Sequence, residues 1–122
     1  SVFTGWPYGL RATDKKGTAN DGIAIKNVIF AGMWKNFYED DKVSENFFNL
    51  AGSNTTLATT NEIISKDGDY SSVIASAVQG AEFIDEVLNN NFFEKVTYKG
   101  AFDGTNDWTA GWTNWDPQNT EY

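Results

Sequence analysis

The sequence predicts a mainly β domain wound as a parallel β-helix, a solenoid of short rungs. Three observations predict it: strand-like runs span only a few residues, Asn and Gly mark their corners, and long polar excursions separate them. A β-sandwich needs longer alternating runs, whereas each face of a coil needs few residues and lets loops leave at its corners. The 122 residues form one domain, 1–122, large enough to bury roughly two-thirds of its unfolded surface.

Each element follows from its residues. Ser1 to Ala12 mixes apolar residues with Gly5-Trp6-Pro7, which predicts short strands around a turn. Asp14 to Gly22 is rich in turn formers and ends in Asn20-Asp21-Gly22, a reversal signal. Ile23 to Phe30 is β-branched, and its alternation breaks at Asn27, which predicts a strand, a tight corner and a second strand. In a coil corner the Asn27 amide bonds backbone and stacks on an Asn of the next coil, although an ordinary turn Asn fits nearly as well.

From Met33 to Leu50, Trp34, Phe37 and Tyr38 share helical spacing, as do Val43, Phe47 and Leu50. One or two short helices are expected, with aromatics docked on the solenoid flank and Gly52 as the last C-cap. Ser53 to Thr60 reads as a surface loop, and Asn54-Thr55-Thr56 formally matches a glycosylation acceptor. Glu62 to Ser65 reads as a short strand and Lys66 to Asp69 as a turn. Tyr70 to Val78 suits a strand or a helix equally. A helical turn is expected near Phe83 to Leu88, then a loop at Asn89-Asn90-Asn91. Val96 to Phe102 is the best strand pattern in the chain.

Composition narrows the function classes. The formal net charge is −8 and the pI is near 4.3; Arg11 is the single arginine, and Lys15-Lys16 is the largest basic cluster. Nucleic-acid binding needs clustered Lys and Arg, so it is not expected, and an acidic surface disfavours anionic membranes. There is no cysteine and therefore no disulfide. No apolar run approaches the roughly 20 residues of a membrane span. The chain starts at Ser1 without methionine, which predicts a piece of a longer protein.

The terminal stretch VTYKGAFDGTNDWTAGWTNW places Trp108, Trp112 and Trp115 four and three residues apart, a density of indole that predicts a terminus locked onto a core. Its pattern Tyr98, Gly100, Ala101, Phe102, then Trp108, Gly111, Trp112 and Thr113 resembles the ending of large Bacteroidetes surface proteins. Ile23 to Gly32 and the opening SVFTGWPYGL are similar to late coils of the same family, so the likeness covers about half of the chain. It implies the C-terminal coils and cap of a right-handed parallel β-helix, at the cell surface or outer membrane or secreted, often exported as a lipoprotein. The family's early coils are missing here. The resemblance therefore implies upstream coils of the same parent protein as a partner, since an end coil leaves strand edges unpaired.

Candidate chemistry is sparse. With neither His nor Cys, the chain lacks the nucleophile triads and the imidazole or thiolate zinc sites. Asp103, Asp107 and Asp116 near the terminus could form a glycosidase-like pair, but 17 acidic residues make such pairs easy to find. Asp103 to Asp107, and Asp67-Gly68-Asp69, offer oxygen ligands for calcium, while turn chemistry explains them equally well. No other cofactor is expected. Trp6 and Trp115 are the candidate glycan contacts, the remaining indoles being expected in the core. Asn27, Tyr98, Gly100, Phe102, Trp108, Gly111 and Trp112 are the structural residues. The expected function is non-enzymatic structural display or adhesion, with glycans or host surface proteins as ligands. The alternative is a fragment of a polysaccharide-processing lyase or hydrolase on the same fold, for which Arg11, Lys26 and Lys99 are the only basic residues on expected strands.

Overall fold

A computed structural model of the chain describes residues 1–12, 23–38 and 42–121. The expected reversal at Asn20-Asp21-Gly22 and the Lys15-Lys16 pair lie outside the described residues. Two small parallel sheets organise the N-terminal half. One holds β1 (Val2–Thr4), β3 (Ile29–Ala31) and β5 (Thr55–Leu57) in the order β1-β3-β5; the other pairs β2 (Tyr8–Leu10) with β4 (Lys35–Phe37). Val2 pairs with Ile29 and Ile29 with Thr55, an offset of 27 and then 26 residues, and Tyr8 pairs with Lys35 at the same offset of 27.

The opening segment matches the expectation of short strands around a turn: two strands turn at Gly5, whose φ of 70° suits glycine. The next rung repeats the arrangement. Gly32, at φ 60°, follows β3 and β4 follows three residues later. Backbone bonds tie the corners together, Gly5 N–H to Ala31 O at 3.2 Å and Gly32 N–H to Leu57 O at 3.2 Å.

β3 is buried along its whole length. Its alternation sends Ile29 and Ala31 to one face and Phe30 to the other. On the first face Ile29 and Ala31 pack with Ile63, Ile64 and Val78, flanked by Val2, Leu57 and Tyr98. On the second face Phe3 meets Phe30 edge-on at 5.9 Å, and Phe30 stacks on Phe48 at 4.7 Å. Phe37 of β4 closes on Phe48 at 5.6 Å. Gly9 of β2 lets the sheets approach: a Cβ there would lie 2.5 Å from Asn36 O and 2.9 Å from the Phe30 ring.

Five expectations are corrected. Trp34, Phe37 and Tyr38 do not share a helix, because Lys35–Phe37 forms β4; aromatic side chains suit a half-buried strand, and β2 offers a ladder. Ser53 to Thr60 is no surface loop, since it carries β5 on the ladder. Val96 to Phe102 forms no continuous strand: it contributes one antiparallel bridge, Tyr98 to Gln79, and Gly100 at φ 97° breaks the extension. Ile23 to Lys26 forms no strand before the Asn27 corner. Glu62 to Ser65 yields a single bridge, Ile64 to Val73, after a 3-10 turn at Thr60–Glu62.

The second helix does form. α1 (Lys42–Asn49) buries Ser44, Phe47 and Phe48 at helical spacing and ends at Gly52, where φ is 67°. Ser44 Oγ accepts the Ala12 N–H at 2.7 Å, which fixes the end of the first rung to the helix.

Two stability outcomes follow. Ile29→Ala should cost about 2–5 kcal/mol in chemical denaturation, while Trp112→Ala at an exposed site should change stability by less than about 1 kcal/mol. Gly9→Ala should destabilise by about 1–3 kcal/mol through overpacking against Phe30 and the β4 backbone, measured the same way.

Candidate binding surfaces

The predicted corner residue sits where a corner is built. Asn27 has φ 57°, alone among described non-glycine residues in that region, which Asn tolerates better than most side chains. Its Nδ2 donates to Glu82 O at 2.7 Å and its Oδ1 accepts the Glu82 N–H at 3.1 Å, a two-bond clasp on the backbone of one residue. The expected Asn-on-Asn stack is absent, because Ser53 occupies the next position and its Oγ accepts the Asn27 N–H at 3.0 Å. Beside it, Asn54 takes the Val28 N–H on Oδ1 at 2.9 Å and donates from Nδ2 to the carbonyls of Ile25 and Phe48. The amide of the formal glycosylation acceptor is thus fully engaged. Lys99 is buried and reaches the same corner, donating from Nζ to Ser53 O at 2.6 Å.

Arg11, Lys26 and Lys99 do not lie on strands. Arg11 stands 4.5 Å over the Tyr38 ring, Lys26 pairs with Asp85 at 2.8 Å, and the strand lysine is Lys35. The three basic residues serve separate local contacts.

The terminal carboxylates are used by their own turns. Asp103 Oδ1 accepts the N–H groups of Thr105 and Asn106, each at 2.7 Å, and these bonds hold its pKa down at about 2. Asp107 Oδ1 accepts the Thr109 N–H at 2.9 Å together with the Thr109 hydroxyl. Asp116 Oδ1 accepts from Asn119 Nδ2, and Asp69 Oδ1 accepts from the N–H and hydroxyl of Ser71. Among the described residues no three Asp or Glu side chains converge on one point.

The tryptophans are distributed differently from the expectation of a sealed core. Trp108 and Trp112 are 58% and 70% exposed, and each spends its N–H locally, on Ala101 O at 3.0 Å and Trp108 O at 3.1 Å. Trp108 stacks on Phe102 at 5.7 Å, so one indole face is covered. These indoles brace a terminal turn from outside, a correction that follows from too little neighbouring chain to cover them. Trp115, the second candidate glycan contact, turns inward: it packs on Phe102 and Tyr70, and its Nε1 is buried. Gly100 does pack closely, since a Cβ there would lie 2.9 Å from Val2 Cγ2, whereas Gly111 at φ 90° has open space around it.

Trp6, the other candidate, is 64% exposed and shares a corner groove of about 500 Å³ with Trp34, which is 70% exposed. Sequence reasoning missed Trp34 as a surface partner because its spacing to Phe37 and Tyr38 mimics a helix. The signal that could have found it is the corner glycine shared by Gly5-Trp6-Pro7 and Gly32-Met33-Trp34, each with a tryptophan within two residues. Tyr8 braces Trp34 at 5.4 Å and Tyr38 at 5.1 Å. Two apolar clefts flank β1. One, of about 490 Å³, is lined by Val2, Ile63, Ile64, Val73 and Phe102; the other, of about 550 Å³, by Phe3, Gly9, Leu10, Ile25 and Phe30.

Asn27→Ala should lose about 1–2 kcal/mol in denaturation, from the Glu82 clasp and a strained φ, and Asn27→Gly should recover part of that loss. Asp103 should titrate near 2 by carboxyl NMR. Because its folded pKa lies below the unfolded value near 3.9, its stabilising effect is complete above that value and disappears as pH falls through about 2. Asp103→Asn should therefore flatten the acid limb of the stability curve over that window. No protein-family model, curated protein or solved structure matches this chain, so its functional reading rests on the geometry above.

Proposed function

We propose that this chain is a non-enzymatic module of a bacterial cell-surface or secreted protein: the closing coils of a right-handed parallel β-helix, serving structural display and adhesion. One observation carries the proposal. A strand, glycine corner and strand recur in register at an offset of 27 residues, a third strand joins the ladder 26 residues further on, and Phe3 meets Phe30 of the next strand edge-on. That repetition supports a solenoid.

The two apolar clefts beside β1 support further coils of the same parent protein as the neighbour on that edge. β1 and β2 are each paired on one side only among the described residues. A strand edge bordered by apolar clefts favours pairing with another rung. Carboxylates dispersed into separate turns, each bonded to groups of its own turn, support a display role over polysaccharide chemistry. Among the described residues no helix is long and apolar enough to cross a membrane.

Surface location is tested by brief protease treatment of intact cells of the producing organism, with released peptides identified by mass spectrometry. Peptides from this chain should appear before any from cytoplasmic proteins, or in the culture medium untreated. Their release only after lysis would refute the surface reading.

A further inference from the structure

We propose that the corner groove between Trp6 and Trp34 binds a neutral pyranose unit of a glycan. This deepens the adhesive part of the function proposed above. Its measurement is separate from surface location, so either can fail while the other stands.

The groove is a product of rung stacking. Gly5, Gly32 and Ala58 each follow a strand of the β1-β3-β5 ladder and together form a low floor. Trp6 and Trp34 rise from that floor on successive rungs. Their backbones are fixed to each other, Trp34 N–H donating to Trp6 O at 3.2 Å and Lys35 N–H to Pro7 O at 3.0 Å. Tyr8 packs against Trp34, so the indole is held before any ligand arrives.

Chemistry selects the ligand. Two large aromatic surfaces are presented to solvent, and among the described residues neither indole N–H has an acceptor. Trp108 and Trp112 are as exposed, yet both of their N–H groups are bonded to backbone carbonyls. The corner pair therefore offers a stacking face together with a free donor, and the terminal pair offers the face alone. A pyranose ring carries an apolar C–H face ringed by hydroxyls, and it satisfies both demands at once. A purely apolar ligand would leave the donors unpaired on binding. The lining residues carry no ionisable side chain, Lys35 Nζ is drawn over the Trp34 ring at 5.9 Å, and in a chain of net charge −8 an anionic sugar meets general repulsion.

Calorimetric titration of the 122-residue chain with cellohexaose, xylohexaose and mannohexaose tests the site, with hexagalacturonate as the charged counter-probe. At least one neutral hexaose should saturate the protein at millimolar concentration or below and bind more tightly than hexagalacturonate. It should shift the indole N–H resonances of Trp6 and Trp34 in the unmutated protein and leave those of Trp108 and Trp112 in place. Trp6→Ala and Trp34→Ala should each weaken binding about tenfold, Trp34→Phe by less, and Trp112→Ala not at all. Failure of all three neutral probes to saturate, equal or tighter binding of hexagalacturonate, or shifts confined to Trp108 and Trp112 would each overturn the assignment. The resonance shifts need no variant, so a misfolded mutant cannot obscure the result.

Discussion

Strands of three residues survive here only because β3 has neighbours on both edges and packing on both faces. A three-residue strand makes too few ladder bonds to offset the entropy of ordering it. Ile29, Phe30 and Ala31 escape that limit by burying every side chain, Ile29 and Ala31 against Ile63 and Val78, Phe30 against Phe3 and Phe48. Burial of one Ile or Phe contributes about 1.5–3 kcal/mol, more than the net value of the backbone bonds beside it. Register follows from the same fact. A one-residue slip would turn Phe30 toward the Ile63 face and Ile29 toward the rings.

Where the strands end, side chains take over from the ladder. Ser53 Oγ and Asn54 Oδ1 accept the N–H groups of Asn27 and Val28, positions at which a straight rung would supply carbonyls. Asn54 Nδ2 spans Ile25 O and Phe48 O, and thereby connects the corner to the end of α1. The corner is a small polar network on the edge of an apolar core, in which side chains supply partners to the Asn27 and Val28 N–H groups and to the Ile25, Phe48 and Ser53 carbonyls. The glycine corner at the other end of the strands works differently, through positive φ and direct backbone bonds. One end is held by amide side chains and the other by backbone geometry, and the exposed indoles of Trp6 and Trp34 belong to the second.

Much of the arrangement of short strands and corners was legible in the sequence. Gly5-Trp6-Pro7 announced a turn between strands, the lone Asn27 announced a corner, and Gly52 announced a helix end. What could not be read were elements whose state depends on a distant partner. Lys35-Asn36-Phe37 carries aromatics at a spacing shared by helix and strand, and only the open edge of β2 decides between them. Thr55-Thr56-Leu57 reads as polar loop until β3 supplies a ladder. Val96 to Phe102 has strand composition and no continuous partner. The indoles taught a similar lesson about the candidate site: abundance near a terminus gave no measure of exposure, and Trp115 exchanged roles with Trp108 and Trp112.

The seat that Gly100 makes against Val2 joins positions almost a hundred residues apart, and this bears on how the protein is produced. Synthesis releases Val2 almost a hundred residues before Gly100, so β1 waits through that interval for this neighbour. A nascent chain of this kind remains without its finished tertiary structure while it is still being made. The seat between β1 and Gly100 closes only once the later segment has left the ribosome, so these two distant segments complete their packing late.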